Sequence, residues 1–134
     1  MILADTSAWV EYDRASGSAI DSRVAELIAG GNELAVTEPV IMEVLAGARD
    51  DRAERDLRRL LLSRILLPFD ATTDFDGAVR IYRKCRSQGV TPRGLTDCMI
   101  AAVAWRHGAS LLAPDADLDR VARVVGIVIE PASV

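Results

Sequence analysis

The feature that most limits what this chain can fold into is a short, wholly apolar run that ends on a carboxylate. Met1-Ile2-Leu3-Ala4 gives way to Asp5-Thr6-Ser7-Ala8-Trp9-Val10. An apolar run without polar alternation reads as a strand buried on both faces, the habit of parallel sheets. Thr6 and Ser7 are good helix caps, so the strand should pass directly into a helix, with Asp5 at its carboxyl end. Open α/β sheets bind their ligands at that edge. The order recurs at Leu111-Leu112-Ala113-Pro114-Asp115-Ala116-Asp117.

The remaining pattern alternates in the same way. Strands are expected near 2–5, 33–36, 65–69, 110–113 and 127–129. Between them lie helical stretches near 7–13, 18–29, 49–64, 72–88, 95–107 and 118–125, and one capped by Thr37 and stopped by Gly47. Ser18 is the cap of the second helix, and Gly30-Gly31-Asn32 should end it. Phe75, Ala78, Val79, Tyr82 and Cys85 form a plausible inner face for the 72–88 helix. Strands alternating with helices imply a three-layer α/β/α sandwich around a five-stranded parallel sheet, as one domain over 1–134.

Composition narrows the function. In 134 residues, half are hydrophobic and 27% are charged, enough for one packed core. The net charge of −4 argues against holding nucleic acid by bulk charge, although locally clustered Arg can still do so. Every basic residue except Lys84 is Arg, the side chain best suited to phosphate. Cys85 and Cys98 lie in helical patterns and read as buried free thiols. The N-terminus has no basic, leader-like start, and no apolar stretch is long enough to span a membrane, so a cytoplasmic chain is expected.

Four carboxylate positions stand out. Asp5 and Asp115, with Asp117 close behind, follow buried strands. Glu43 shares a helical face with Pro39, Val40, Ala46 and Gly47. Asp97 opens an apolar face that continues through Ile100, Ala101 and Ala104. Each alone has an ordinary explanation as a helix cap, a dipole partner or a loop residue. Together they can meet at one sheet edge, where like charges cannot all ionise unaided. A hard divalent cation such as Mg²⁺ or Mn²⁺ resolves that conflict through oxygen ligands. Such a site activates water for phosphoryl chemistry. His107, the only His, ends a helix and suits its dipole.

These stretches resemble the signatures of PIN-domain ribonucleases. They are Asp5-Thr6-Ser7-Ala8-Trp9, Glu43 within Glu38-Pro39-Val40-Ile41-Met42-Glu43-Val44-Leu45-Ala46-Gly47, Asp97 within Leu95-Thr96-Asp97-Cys98-Met99-Ile100-Ala101-Ala102, and Leu111 to Leu118. Order, spacing and length are similar to the VapC toxins of VapBC toxin–antitoxin pairs, across essentially the whole chain. The resemblance implies a Mg²⁺- or Mn²⁺-dependent endoribonuclease, with Asp5, Glu43, Asp97 and Asp115 as catalytic ligands. Asp117 would be an additional or water-mediated ligand, and the division of labour between Asp115 and Asp117 stays open. Thr6 resembles a hydroxyl that supports the first Asp. Leu118 stands where the family often has an aromatic.

The resemblance also implies a homodimer and a small cognate antitoxin. That antitoxin would seat a helix on the Leu-rich segments 18–29 and 38–64, in a larger assembly with DNA bound through it. Structured RNA cut at a single-stranded loop, tRNA above all, is the expected substrate. Arg93, in the loop before Asp97, is the first choice for a phosphate contact. Arg80, Arg83, Lys84 and Arg86 read mainly as a solvated helix face, and Trp9 as packing rather than a base-stacking platform. The competing reading is a non-catalytic PIN-like module that binds RNA or protein. It would be favoured by loss of an acidic position, and none is lost. A dehalogenase-like phosphatase wants a second Asp where Ser7 stands, and a receiver domain wants an acidic pair near the first strand's end and a late Lys, whereas the only Lys, Lys84, falls on an expected helix.

Overall fold

A computed structural model describes residues 1–31 and 33–133; the expected stop at Asn32 lies outside them. Strand β1 (Ile2–Ala4) leads through α1 (Thr6–Asp13) and α2 (Ala19–Gly30) to β2 (Leu34–Val36). Helices α3 (Glu38–Ala46) and α4 (Asp51–Leu62) lead to β3 (Ile65–Leu66). Helices α5 (Ala71–Ser87) and α6 (Leu95–His107) return the chain to β4 (Ser110–Leu112), and α7 (Ala116–Val125) follows. Among the described residues no helix is long and apolar enough to cross a membrane.

The sheet is parallel throughout, in the order β3-β2-β1-β4. From β1 the chain steps one way to β2 and β3, then crosses back to β4 on the other flank of β1. Right-handed crossovers therefore send α5 and α6 to the opposite face from the first four helices. The helix contacts agree: α1 packs on α2 and α3, and α3 on α4, while α5, α6 and α7 pack together. The crevice between β1 and β4 is thus the point where the strand order reverses, the usual ligand edge of such sheets. Leu3, Leu34, Val36, Leu111 and Leu112 are all buried, which is why these strands are apolar without alternation.

The sheet has four strands, not the expected five. At 127–129 the chain makes only an isolated parallel bridge, Leu111 with Ile129. Two backbone bonds hold it, Leu111 N–H to Val128 O at 2.9 Å and Glu130 N–H to Leu111 O at 2.8 Å. Gly126, left-handed at φ 87°, ends α7 just before it, and Pro131, which has no N–H to donate, follows at once. Between that turn and that proline the pairing does not extend past the single bridge. Strand β3 is likewise shorter than expected and stops ahead of Pro68.

Two helices differ from their sequence reading. Thr37 is the N-cap residue of α3, but its hydroxyl makes no cap bond and is buried without a partner. A capping oxygen takes the N–H of the second or third helical residue, and the second here is Pro39. In α5 the inner face is Asp74, Ala78, Ile81 and Cys85, whereas Phe75 and Val79 are exposed. The face is turned because Asp74 is drawn inside by Arg106, whose Nε and Nη2 reach its two oxygens at 2.9 and 2.7 Å. Cys85 and Cys98 are buried free thiols, as read, and burial pushes the Cys98 thiol up to about 12. Trp9 is wholly buried, in edge contact with Tyr12.

Candidate active site

Asp5 closes β1 and opens α1. Its Oδ1 accepts the Ala8 N–H at 2.9 Å as a helix cap. Its own N–H donates to the Leu112 carbonyl at 3.1 Å, tying the ends of β1 and β4 together. The residue is 3% exposed. Burial pushes its carboxyl up to about 7; the Ala8 N–H opposes this, and the charges of Asp115, Asp97 and Glu43 add to it.

Asp97 sits in the first turn of α6 and is also buried. Burial pushes its carboxyl up to about 6, with Asp115 raising it, Arg93 lowering it, and Glu43 and Asp117 raising it further. Acidic residues from four separate stretches therefore feel one another's charge. Strand-end placement explains Asp5 and Asp115; the first turns of α6 and α7 supply Asp97 and Asp117.

Glu43, half-buried on α3, accepts the Thr6 hydroxyl on Oε1 at 2.6 Å. The sequence reading set Thr6 beside Asp5; the hydroxyl holds Glu43 instead. Asp115 caps α7 by accepting the Asp117 N–H on Oδ1 at 2.8 Å. Its Oδ2 meets Arg93 Nη2 at 2.5 Å. Arg93 also stands 3.5 Å from Asp117 Oδ2 and 3.8 Å from Asp97 Oδ2. The residue read as a phosphate contact thus lies among the carboxylates. Sequence reasoning missed Arg120, which pairs with Asp117 Oδ1; its i,i+3 spacing was the available signal. It also missed Arg14, which lines a cleft of about 450 Å³ with Thr6, Ser7, Arg93 and Asp115.

The donor set is all oxygen, five carboxylates with a hydroxyl beside them, which is the chemistry of a hard divalent cation. Within this set one buried oxygen lacks a partner of its own: Asp97 Oδ2 accepts no hydrogen bond, and Arg93 at 3.8 Å is beyond hydrogen-bond reach. Among the described residues no three acidic, His or Cys side chains are already gathered round a common point. The residues fit the ion by type, and the Arg93 guanidinium stands among three of them, Asp97, Asp115 and Asp117.

Residues 2–124 match the PIN domain family. The chain is 45% identical over 128 residues to VapC ribonuclease Mb1587 of Mycobacterium bovis, covering 95% of this chain and 96% of that protein. Among solved structures, VapBC2 from Rickettsia felis, bound to a DNA fragment from their promoter, superposes with a TM-score of 0.75 at 20% identity. It covers 97% of this chain and 98% of its own. Mycobacterium tuberculosis VapC20, described as a sarcin–ricin loop cleaving toxin, gives a TM-score of 0.71 at 18% identity, with 96% and 97% covered. At such identities the structures speak for the fold alone, while the 45% relative speaks for the family. The chain belongs to the PIN-domain family and, within it, to the VapC ribonucleases.

Proposed function

We propose that this protein is the toxin of a toxin–antitoxin pair. In this reading residues 1–134 act as one PIN domain, a Mg²⁺- or Mn²⁺-dependent endoribonuclease that cuts structured RNA, tRNA foremost, at a single-stranded loop. The observation that carries the reading is that the charges of Glu43, Asp115 and Asp117 reach Asp5 or Asp97 at the strand-order reversal, where burial first and these charges second push the Asp5 and Asp97 carboxyls well up. Asp5, Asp97 and Asp115 are the principal metal ligands, with Glu43 and Asp117 completing the set. Held by these residues, Mg²⁺ or Mn²⁺ would supply an acidified water and positive charge against the phosphate.

The chain's own groups do the rest. Thr6 fixes one Glu43 oxygen and so orients the other for the metal. The apolar packing under Asp5 and Asp97 keeps their carboxylates from being diluted by solvent. Arg14 and Arg93, which flank the cleft beside Asp115, supply local positive charge that the chain as a whole lacks. Loops suit such a cleft because their backbone and bases are reachable outside a helix.

An antitoxin helix is best accommodated by the groove of about 360 Å³ among α1, α3 and α4. Its floor includes Val10, Val44 and Leu57, and its rim Asp13, Arg14, Arg49 and Asp56. This mixed lining suits an amphipathic helix. The leucines themselves are not the surface expected from the sequence: Leu57 and Leu61 face the core and Leu62 is exposed. The groove reaches Glu43, so its occupant also lies against that carboxylate. DNA binding through that antitoxin and homodimer formation complete the reading.

Purified protein incubated with total cellular RNA should give discrete fragments with Mg²⁺ or Mn²⁺ and none with EDTA, their ends mapping to loops. Neither fragments nor metal binding would leave only the binding-module reading, whereas metal binding without fragments would mean a folded site that lacks its proper RNA or partner. Thr6→Val should slow cleavage by roughly 10- to 100-fold, the usual effect of losing a group that orients a metal ligand. Its melting temperature should stay within a few degrees, since one hydrogen bond contributes about 1 kcal/mol. An unchanged rate would remove Thr6 from the site.

A further inference from the structure

We propose that Arg93 is the internal counter-cation of the carboxylate pocket: it bridges Asp115, Asp117 and Asp97 until a divalent ion arrives, and must withdraw before the ion can enter. This rests on the metal-binding reading above. Three carboxylates on two helices converge on one guanidinium, at 2.5, 3.5 and 3.8 Å. A planar fork with five donors can serve several carboxylates at once, which a point-charged ammonium cannot. The bridge is nevertheless incomplete, because Asp97 Oδ2 is left without a hydrogen bond. A single positive charge also offsets only part of the acidic cluster. An ion with twice the charge and ligand distances near about 2.1 Å therefore outcompetes it.

Arg93 is built to leave. Its side chain is 64% exposed, and it lies in the turn just before Gly94, the N-cap residue of α6. Beside it, between α5 and this turn, is an open hollow of about 460 Å³ lined by Val79, Tyr82, Arg83 and Leu95. The same side chain borders the cleft that holds Thr6 and Arg14. Withdrawal thus frees the carboxylates and leaves a cation beside the path of an RNA phosphate.

Calorimetric titration of Mn²⁺ into four full-length proteins tests this. Arg93→Ala should bind about tenfold more tightly than wild type, as expected if the pocket is open in roughly one molecule in ten. Arg93→Lys keeps the charge but loses the fork and should fall between them. Arg120→Ala removes an equal charge beside Asp117 and should change affinity less than about threefold. A gain in Arg93→Ala no larger than in Arg120→Ala, or a wild-type affinity in Arg93→Lys, would reduce Arg93 to a nearby charge and overturn the proposal. If neither wild type nor Arg93→Ala binds Mn²⁺, the metal reading itself fails. In a parallel Mg²⁺ titration, the Arg93 Nε–H resonance should move towards that of a free arginine; a resonance that stays put while Mg²⁺ binds also overturns it.

Discussion

Asp5→Asn should silence cleavage and, in the same protein, stabilise the metal-free fold at pH 8. The substitution is nearly isosteric, and Asn caps a helix as well as Asp does, so the bond to the Ala8 N–H and the start of α1 survive. What disappears is a carboxylate that burial has pushed up to about 7. In the unfolded chain that carboxyl returns to about 3.9. Between these values the unfolded state holds fewer protons than the folded one, so the wild type loses stability as pH rises from about 4 to 7. Above pH 7 the whole penalty, on the order of 4 kcal/mol, is present. The Asn variant escapes it.

Melting curves in EDTA should coincide for the two proteins near pH 4 and separate by on the order of 10 °C at pH 8, the variant melting higher. Cleavage should fall about 1000-fold, because a metal centre supplies several kcal/mol of transition-state stabilisation and each 1.4 kcal/mol is a decade. A variant that cleaves normally would remove Asp5 from the site. One that melts lower at pH 8 would show that its carboxylate stabilises the fold rather than straining it.

The largest effect on stability alone is expected at Arg106→Met. Asp74 is 1% exposed. Burial raises its carboxyl, but the Arg106 guanidinium and the Asp70 N–H overcome this and hold it below the usual range. The Asp70 N–H donates to Asp74 Oδ2 at 2.8 Å, and Arg106 also reaches the Pro68 carbonyl at 2.6 Å. One guanidinium thus fastens α6 to the start of α5 and to the turn before it. Removing it strands a buried charge, which costs about 3–5 kcal/mol. The melting temperature should drop by roughly 10–20 °C at pH 7. The deficit should shrink as pH falls through the carboxylate range, since protonated Asp74 no longer needs the partner. Combining Arg106→Met with Asp74→Leu should recover most of the loss, because an apolar pair can replace a buried ion pair at little cost. Denaturation of the single and double variants measures both effects.

What could be read in advance followed from local rules. Asp5, Asp97 and Asp115 were legible because each interrupts an apolar pattern at the end of a strand or the start of a helix. Whether they meet depends on strand order, which alternation alone does not specify. Arg93 was legible as a cation near the site, but not as the cation lying among its acids, since no helical or strand period links 93 to 115. The α5 face was misread for the same reason. Periodicity favours Phe75 and Val79, while a distant Arg draws Asp74 inside. The fifth strand failed on chain geometry, with a left-handed glycine before it and a proline after it. Thr6 was read against its neighbour in sequence, and its partner proved to be Glu43 on another helix.

The sheet order has a consequence for how the protein is made. Strand β1, the first to leave the ribosome, sits between β2 and β4, and Ile2 pairs with Ser110. No amount of early folding can join Asp5 to Asp97 and Asp115 until β4 and the start of α7 have emerged. Until then the nascent polypeptide carries these acidic residues as scattered, separate groups. A message cut short anywhere before β4 yields a product without the pocket. Such long-range pairing also makes for slow folding, so synthesis and the onset of any activity are separated in time by the topology itself.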